Sequence, residues 1–257
     1  MKIVRFQARG AEYYGILEDD SMVSVLNGPP YVHLERTGEA LPLREVDLLA
    51  PCVPSKIIGI GLNYRDHAEE LGMPLPEEPM LFLKPDTAVI GPGGGILYPE
   101  MSGRVDYEGE LAIVVGRHAT GITREEAADF IFGYTCFNDV TARDLQFKDV
   151  QFTRAKGFDT FAPIGPWIVT DLDPMSLEIE SYLNGELRQR SNTGQLIFDP
   201  YALVHFVSQI MTLKPGDVIA SGTPGGIGPM QPGDRIEIRI DKIGILHNHV
   251  VTRRQKA

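Results

Sequence analysis

The stretch RVDYEGELAIVVGR, Arg104 to Arg117, limits the possible folds more than any other part of the chain. Its apolar half, LAIVV, reads as a buried strand. Ahead of that half stand Asp106, Glu108 and Glu110. Side chains alternate along a strand, so Glu108 and Glu110 point the same way, roughly 6 to 7 Å apart. Two carboxylates on one face repel unless a positive charge stands between them. Either the strand end faces water, or a Lys or Arg crosses over it, or a divalent metal is held there.

The flanking segments supply many strands and few helices. KIVRFQ, YYGILE and MVSVLN, separated by the turn-like ARGAE and DDS, read as a short meander forming a small N-terminal β-rich lobe. Pro51 and Pro54 bracket a join and KIIGI opens a larger unit, so the expected division is residues 1–50 and 51–257. A short helix is expected at YRDHAEELG, stopped by Gly72 and Pro74, then a strand at MLFLK and a loop over PDTAVIGPGGGILYPE. Thr123 and Glu126 form a capping box for a helix at TREEAADFI, which is followed by a strand at FGYTCFNDV. A hairpin turns at Asn184-Gly185, and the longest helix is DPYALVHFVSQIMTL, capped by Asp199 with Pro200 in its first position. GDVIASGT and DRIEIRIDKIGILHNHVV are strand again, and the last seven residues read as a frayed basic tail. Strands and helices do not alternate strictly. That disfavours a TIM barrel or Rossmann fold and leaves an α+β, mostly β body.

Charge and composition exclude other classes. A net charge of -11 over 257 residues argues against a nucleic-acid partner, whose phosphates call for Lys and Arg. No apolar run approaches the about eighteen residues of a membrane span, and MKIVRFQARG lacks the apolar core of a signal peptide. A cytoplasmic protein without a membrane partner is the expectation. Cys52 and Cys136 are too few for a disulfide framework and read as small buried hydrophobes.

Several residues carry chemistry. Asp139 ends an apolar strand, where a buried carboxylate needs a partner. With Glu108 and Glu110 it could give hard oxygen ligands to Mg²⁺ or Mn²⁺, water completing the shell, although acidic residues at a strand end are more often solvated. GPGGGI and GTPGGIG lack the context of phosphate loops and read as tight turns, the second able to line a carboxylate pocket with Thr223. His67 and Glu70 are neighbours on a helix, so the Glu can orient the imidazole as a base; a plain surface histidine is the rival reading. Lys156 is either a salt-bridge partner or a member of the site. Asp144 could be taken for a ligand beside Asp139, but pairing with Arg143 or Arg154 is as good a reading; His247 and His249 share a strand face without a third ligand, and Trp167 belongs to the core.

GLNYRDHAEE, FLKP, VDYEGELAIVVG, FNDVTARDLQ, RAKGFDTFAPIGP, NGELRQ and SGTPGGIG occur in this order from about Lys56 onward. In that series the chain closely resembles bacterial members of the fumarylacetoacetate hydrolase family. The resemblance implies a mixed β-sandwich roll, usually homodimeric, with one Mg²⁺ or Mn²⁺ per subunit. It implies Glu108, Glu110 and Asp139 as metal ligands and Lys156 as the lysine beside the metal. Arg143 and Gln146 fall where substrate is contacted or the site braced, and Thr223 matches the threonine that takes the substrate carboxylate. His67 and Glu70 match the pair on a mobile helix closing over the site. A fourth carboxylate ligand found in some members has no counterpart in IIGIGLN.

The chemistry agrees with that carry-over. A cation chelated by the carboxylate and 2-oxo group of a pyruvoyl compound would stabilise the enolate formed when the neighbouring bond breaks. The leading expectation is C–C hydrolysis of an acylpyruvate-type 2-oxo acid. Oxaloacetate decarboxylation or tautomerisation, and isomerisation of an unsaturated 2-oxo or 2-hydroxy dienoic diacid, are the alternatives within the family. A non-catalytic module with a structural cation is the alternative outside it, and a nearby Lys156, which weakens cation binding, counts against it.

Overall fold

Every residue of the strand Gly109–Val115 is buried, and its two faces belong to different hydrophobic clusters. Leu111, Ile113 and Val115 pack with Ile179, Ile238 and Leu246 on one side, while Ala112 and Val114 pack with Ile3, Ile164 and Val218 on the other. A strand covered on both faces has no polar side to show water, which is why LAIVV is unbroken in the sequence. The computed structural model describes residues 1–252.

Among the described residues, a twelve-stranded sheet contains this strand near its centre. Ile131–Asn138 flanks it antiparallel on one side and Val218–Ala220 on the other. Val218–Ala220 in turn runs parallel to Ile57–Ile60, beyond which Leu81–Lys84 forms the edge. A five-stranded sheet, ordered Glu186–Asn192, Glu178–Leu183, Arg235–Ile240, Gly244–Val251 and Gly95–Leu97, covers the Leu111 face. The architecture is thus mostly β, as expected. The N-terminal strands Lys2–Ala8, Ala11–Glu18, Met22–Leu26 and Arg36–Pro42 extend the large sheet, because Lys2–Ala8 pairs with Ala162–Val169.

Local signals in the sequence account for the turns and caps. Asn184 and Gly185 both have positive φ, so the hairpin between Glu178–Leu183 and Glu186–Asn192 twists with its strands. The helix Pro200–Ile210 is capped by the Asp199 side chain, which accepts from the Ala202 N–H at 2.9 Å. The helix Arg65–Leu71 ends at Gly72 in the left-handed region.

Three expectations are corrected. The segment after Lys84 is not a plain loop: it holds a 3₁₀ turn at Asp86–Ala88 and two short strands, Val89–Ile90 and Gly95–Leu97, which pair in parallel with Ala162–Val169 and Gly244–Val251. The Thr123–Glu126 capping bonds form, yet they lead only into turns and a 3₁₀ helix at Ala127–Phe130. Immediately afterwards the chain must extend into Ile131–Asn138, leaving no room for a further helical turn. Trp167 is half-buried, its indole N–H donating to the Ile243 carbonyl at 2.6 Å. Cys52 and Cys136 are free and buried. Of the expected basic tail, Val251 closes the last strand, and residues 253–257 lie outside the described residues. No helix among the described residues is long and apolar enough to cross a membrane.

Candidate active site

Each carboxylate of the Asp106–Glu110 stretch is balanced differently. Asp106, fully buried, accepts from Arg104 Nε at 2.8 Å and Arg143 Nε at 2.9 Å. Glu108, also buried, accepts from the Arg143 guanidinium and from Lys156 Nζ at 2.8 Å. Glu110 has neither kind of partner. One of its oxygens accepts from the Gly222 N–H at 2.8 Å, and no Lys or Arg among the described residues pairs with it.

The fold brings Asp139 to the same place. It follows Asn138, the last residue of the strand beside Gly109–Val115, and its N–H donates to the Glu108 carbonyl at 2.8 Å. Asn138 Oδ1 accepts the Glu108 N–H at 2.9 Å, so side chain and backbone together fix the break between Val105–Tyr107 and Gly109–Val115. Glu108, Glu110 and Asp139 each offer an oxygen within 4.8 Å of the others, and all three are buried. The Asp139 carboxylate takes two ammonium groups, Lys84 and Lys156. Lys156 ends the short helix Thr153–Lys156, and its Nζ lies 4.8 Å from the Phe82 ring centroid.

The electrostatics follow from these pairings. Burial alone raises the Glu108 carboxyl, but the Lys156 ammonium and Arg143 guanidinium outweigh it and hold the group at about 2. Burial also raises Glu110, and there Asp139 and Glu108 add to the effect, so its carboxyl lies well above the usual range. Burial lowers Lys156, but Asp139 and Glu108 together lift it above its ordinary value. Lys84, fully buried against Asp139 and the Val140 carbonyl at 3.1 Å, is lowered because burial prevails. Glu110 is therefore a buried carboxylate whose ionised form lacks a counter-charge. A divalent cation coordinated by one oxygen from each of the three carboxylates would provide it, and hard oxygen donors suit Mg²⁺ or Mn²⁺.

The glycine-rich turn SGTPGGIG forms another wall. Asn63 Nδ2 donates to the Ser221 carbonyl at 2.7 Å and pins the start of the turn, and Gly222 reaches Glu110. Thr223 Oγ1 donates to the Gly109 carbonyl at 2.9 Å. Glu70 lies against the same turn: a Cβ at Gly225 would stand 2.5 Å from Glu70 Oε2, so a side chain there would push the Glu70 carboxylate out of its present position. Glu70 Oε2 is 2.9 Å from Nδ1 of His67, which is buried. A carboxylate there keeps the proton on Nδ1 and leaves the lone pair on Nε2. Gln146 is half-buried and its carbonyl oxygen is held by Arg143, which leaves its amide nitrogen as a donor.

The structure thus brings together Glu108, Glu110, Asp139, Lys156, Arg143 and Gln146, with Thr223 and the His67–Glu70 pair joined to them through the turn. Asp144 pairs with neither arginine and is not in the carboxylate cluster. It accepts from Ser102 Oγ at 2.6 Å and Gly103 N–H at 2.9 Å, while Arg154 pairs with Asp149. His247 and His249 share an exposed strand face. Sequence reasoning missed the role of Lys84, whose signal was an apolar strand, LFLK, ending on a lysine that has no water to reach. It also missed Asn63 and Gln189, buried amides within otherwise polar motifs.

Residues 56–251 match the family described as fumarylacetoacetate (FAA) hydrolase C-terminal, and residues 1–51 match one described as Rv2993c-like, N-terminal. The chain belongs to the fumarylacetoacetate hydrolase family. It is 45% identical to oxaloacetate tautomerase YisK of Bacillus subtilis, over 81% of this chain and 74% of that protein. Its fold matches the crystal structure of 5-carboxymethyl-2-hydroxymuconate delta-isomerase from Mycobacterium smegmatis, with TM-score 0.94, 45% identity and coverage of 98% of this chain and 100% of that one. It also matches maleylpyruvate hydrolase from Sphingobium sp. SYK-6 in complex with manganese(II) and pyruvate, with TM-score 0.81, 32% identity and coverage of 98% and 99%.

Proposed function

We propose that this protein is a divalent-cation-dependent enzyme for small 2-oxo acids, with Glu108, Glu110 and Asp139 as ligands for Mg²⁺ or Mn²⁺. Glu110 carries the proposal, being a buried carboxylate with no cationic partner among the described residues, beside two that are fully paired. When bound, the cation supplies a Lewis acid to the 2-oxo acid. The chain's own groups do the rest. Lys156, its ammonium kept protonated by Glu108 and Asp139, offsets negative charge that develops on the substrate. Arg143 braces Glu108 and Gln146, and Gln146 offers its amide to a substrate oxygen. The turn around Thr223 would take the substrate carboxylate through its backbone N–H groups, since the Thr223 hydroxyl already donates to the Gly109 carbonyl and positions the turn. His67, oriented by Glu70, moves a proton at the carbon next to the 2-oxo group.

Keto–enol tautomerisation of an oxaloacetate-like 2-oxo diacid is the leading reaction, because it needs only that proton transfer at carbon, charge stabilisation, and exchange of a second proton between the enolate oxygen and water. The tautomerase and isomerase relatives support it at 45% identity. C–C hydrolysis of an acylpyruvate is the second reading, supported by the hydrolase of similar fold, and it requires in addition a water aimed at the acyl carbonyl. The test is a panel of oxaloacetate, acylpyruvates and dienoic diacids with Mg²⁺ or Mn²⁺, products followed by NMR. Metal-dependent turnover of oxaloacetate between keto and enol forms is expected; a panel with no metal-dependent turnover would end the enzyme reading.

A homodimer belongs to the same proposal, since long sheets with open edges are covered by symmetric pairing. Light scattering should give about twice the 28.4 kDa chain mass at micromolar concentration, and a monomer there counts against it.

A further inference from the structure

Gln189 lies in the second sheet, away from the charged groups of the site, and is almost completely buried. Every hydrogen-bonding position on its amide is filled. Oε1 accepts the Gly109 N–H at 3.0 Å and the Ser181 hydroxyl at 2.7 Å, and Nε2 donates to Thr223 Oγ1 at 2.9 Å and to the Pro224 carbonyl at 2.8 Å. Gly109 is the residue between Glu108 and Glu110. Its carbonyl is taken by Thr223, so Gln189 and Thr223 together hold both backbone groups of that one residue. The approach is so close that a Cβ at Gly109 would stand 2.3 Å from Ser181 Oγ and 3.3 Å from Gln189 Oε1.

We infer that Gln189 is a positioning residue for the carboxylate pair, resting on the metal site proposed above. It ties three separate elements at one point: the strand carrying Glu110, the turn whose Gly222 N–H reaches Glu110, and the strand Glu178–Leu183. The side chain touches no carboxylate itself. It fixes the backbone from which Glu108 and Glu110 project, and with it their spacing toward Asp139. A residue whose function was only to fill the core could be apolar, whereas this one makes four hydrogen bonds, to two other strands and one turn. Outer partners of this kind, when removed, cost roughly 10- to 100-fold in metal affinity or activity.

The experiment uses full-length wild type, Gln189→Met and Gln189→Glu, with free Mn²⁺ counted by EPR during titration. Gln189→Met keeps approximate bulk and loses all four bonds, so Mn²⁺ affinity should fall by about 10- to 100-fold. Gln189→Glu keeps the acceptors toward Gly109 and Ser181 and loses the amide donors, so it should fall between the two. If Gln189→Met does not fold, the isosteric Gln189→Glu decides alone. Affinity in a folded variant within about twofold of wild type overturns the inference. A wild type that binds no Mn²⁺ would instead sink the metal reading. In that event hydrogen exchange of the peptide spanning residues 105–111 decides: faster exchange in the variants keeps the clamp, and unchanged exchange removes it.

Discussion

Glu110→Gln should abolish most metal-dependent turnover, by more than roughly 100-fold, and yet melt without added metal at or above the wild-type temperature. The two halves have one cause. Glu110 is a buried carboxylate with a raised proton affinity and one backbone donor, so its ionised form is unfavourable when nothing divalent is bound. An amide of the same shape removes that unfavourable charge and can still accept from Gly222 through its oxygen. The cation loses a charged ligand at the same time. Glu108→Gln should lose comparable turnover but behave oppositely in stability. Lys156 and Arg143 would then face a neutral amide, and breaking buried ion pairs costs about 3–5 kcal/mol. Scanning calorimetry with and without Mg²⁺, run beside the oxaloacetate assay, reads both effects. If Glu110→Gln keeps wild-type turnover, or if Mg²⁺ still raises its melting temperature as much as it raises that of wild type, Glu110 is not a ligand.

The contrast between these carboxylates also marks how far the sequence could be read. Spacing alone brings Glu108 and Glu110 to one side of the chain, although Glu108 proves to sit at the break before the strand, and the strand itself follows from LAIVV, since a run of that kind is stable only when covered. Asn184-Gly185, Asp199-Pro200 and Gly72 are equally plain, because each satisfies a local backbone demand that few other residues meet. What spacing cannot show is which cation meets which carboxylate. Lys84 reaches Asp139 from 55 residues away, and Arg143 serves both Asp106 and Glu108, so the pairing is decided by sheet order. Sheet order depends on contacts between distant segments. The short strands Val89–Ile90 and Gly95–Leu97 were illegible for a related reason: two or three residues among glycines and prolines carry no period, and only the distant strand each pairs with makes it a strand. Gln189 shows the same limit from the other side. Its burial beneath the carboxylate pair depends on the second sheet packing over Gly109.

His67→Ala should slow proton transfer at the carbon next to the 2-oxo group by roughly 10²- to 10⁴-fold, the usual contribution of a positioned general base. With Glu70 holding Nδ1, the only ring nitrogen free to take a proton is Nε2, and alanine removes it. Glu70→Ala should cost less, because it releases the ring's orientation but leaves the nitrogen. The measurement need not wait for the physiological substrate. Exchange of the C3 hydrogens of a simple 2-oxo acid into D₂O at saturating Mg²⁺, followed by NMR, reports the proton step alone. Rates of tautomerisation, acylpyruvate cleavage and oxaloacetate decarboxylation in the same variants then separate the chemistries. Tautomerisation should track the exchange rate. Cleavage should fall as well, because activating water needs a base, while decarboxylation, which needs chiefly a stabilised enolate, should fall least. Circular dichroism confirms that the variants are folded, which is expected, since His67 lies on a seven-residue helix outside the main clusters. Exchange at the wild-type rate in His67→Ala would show that another group carries the proton.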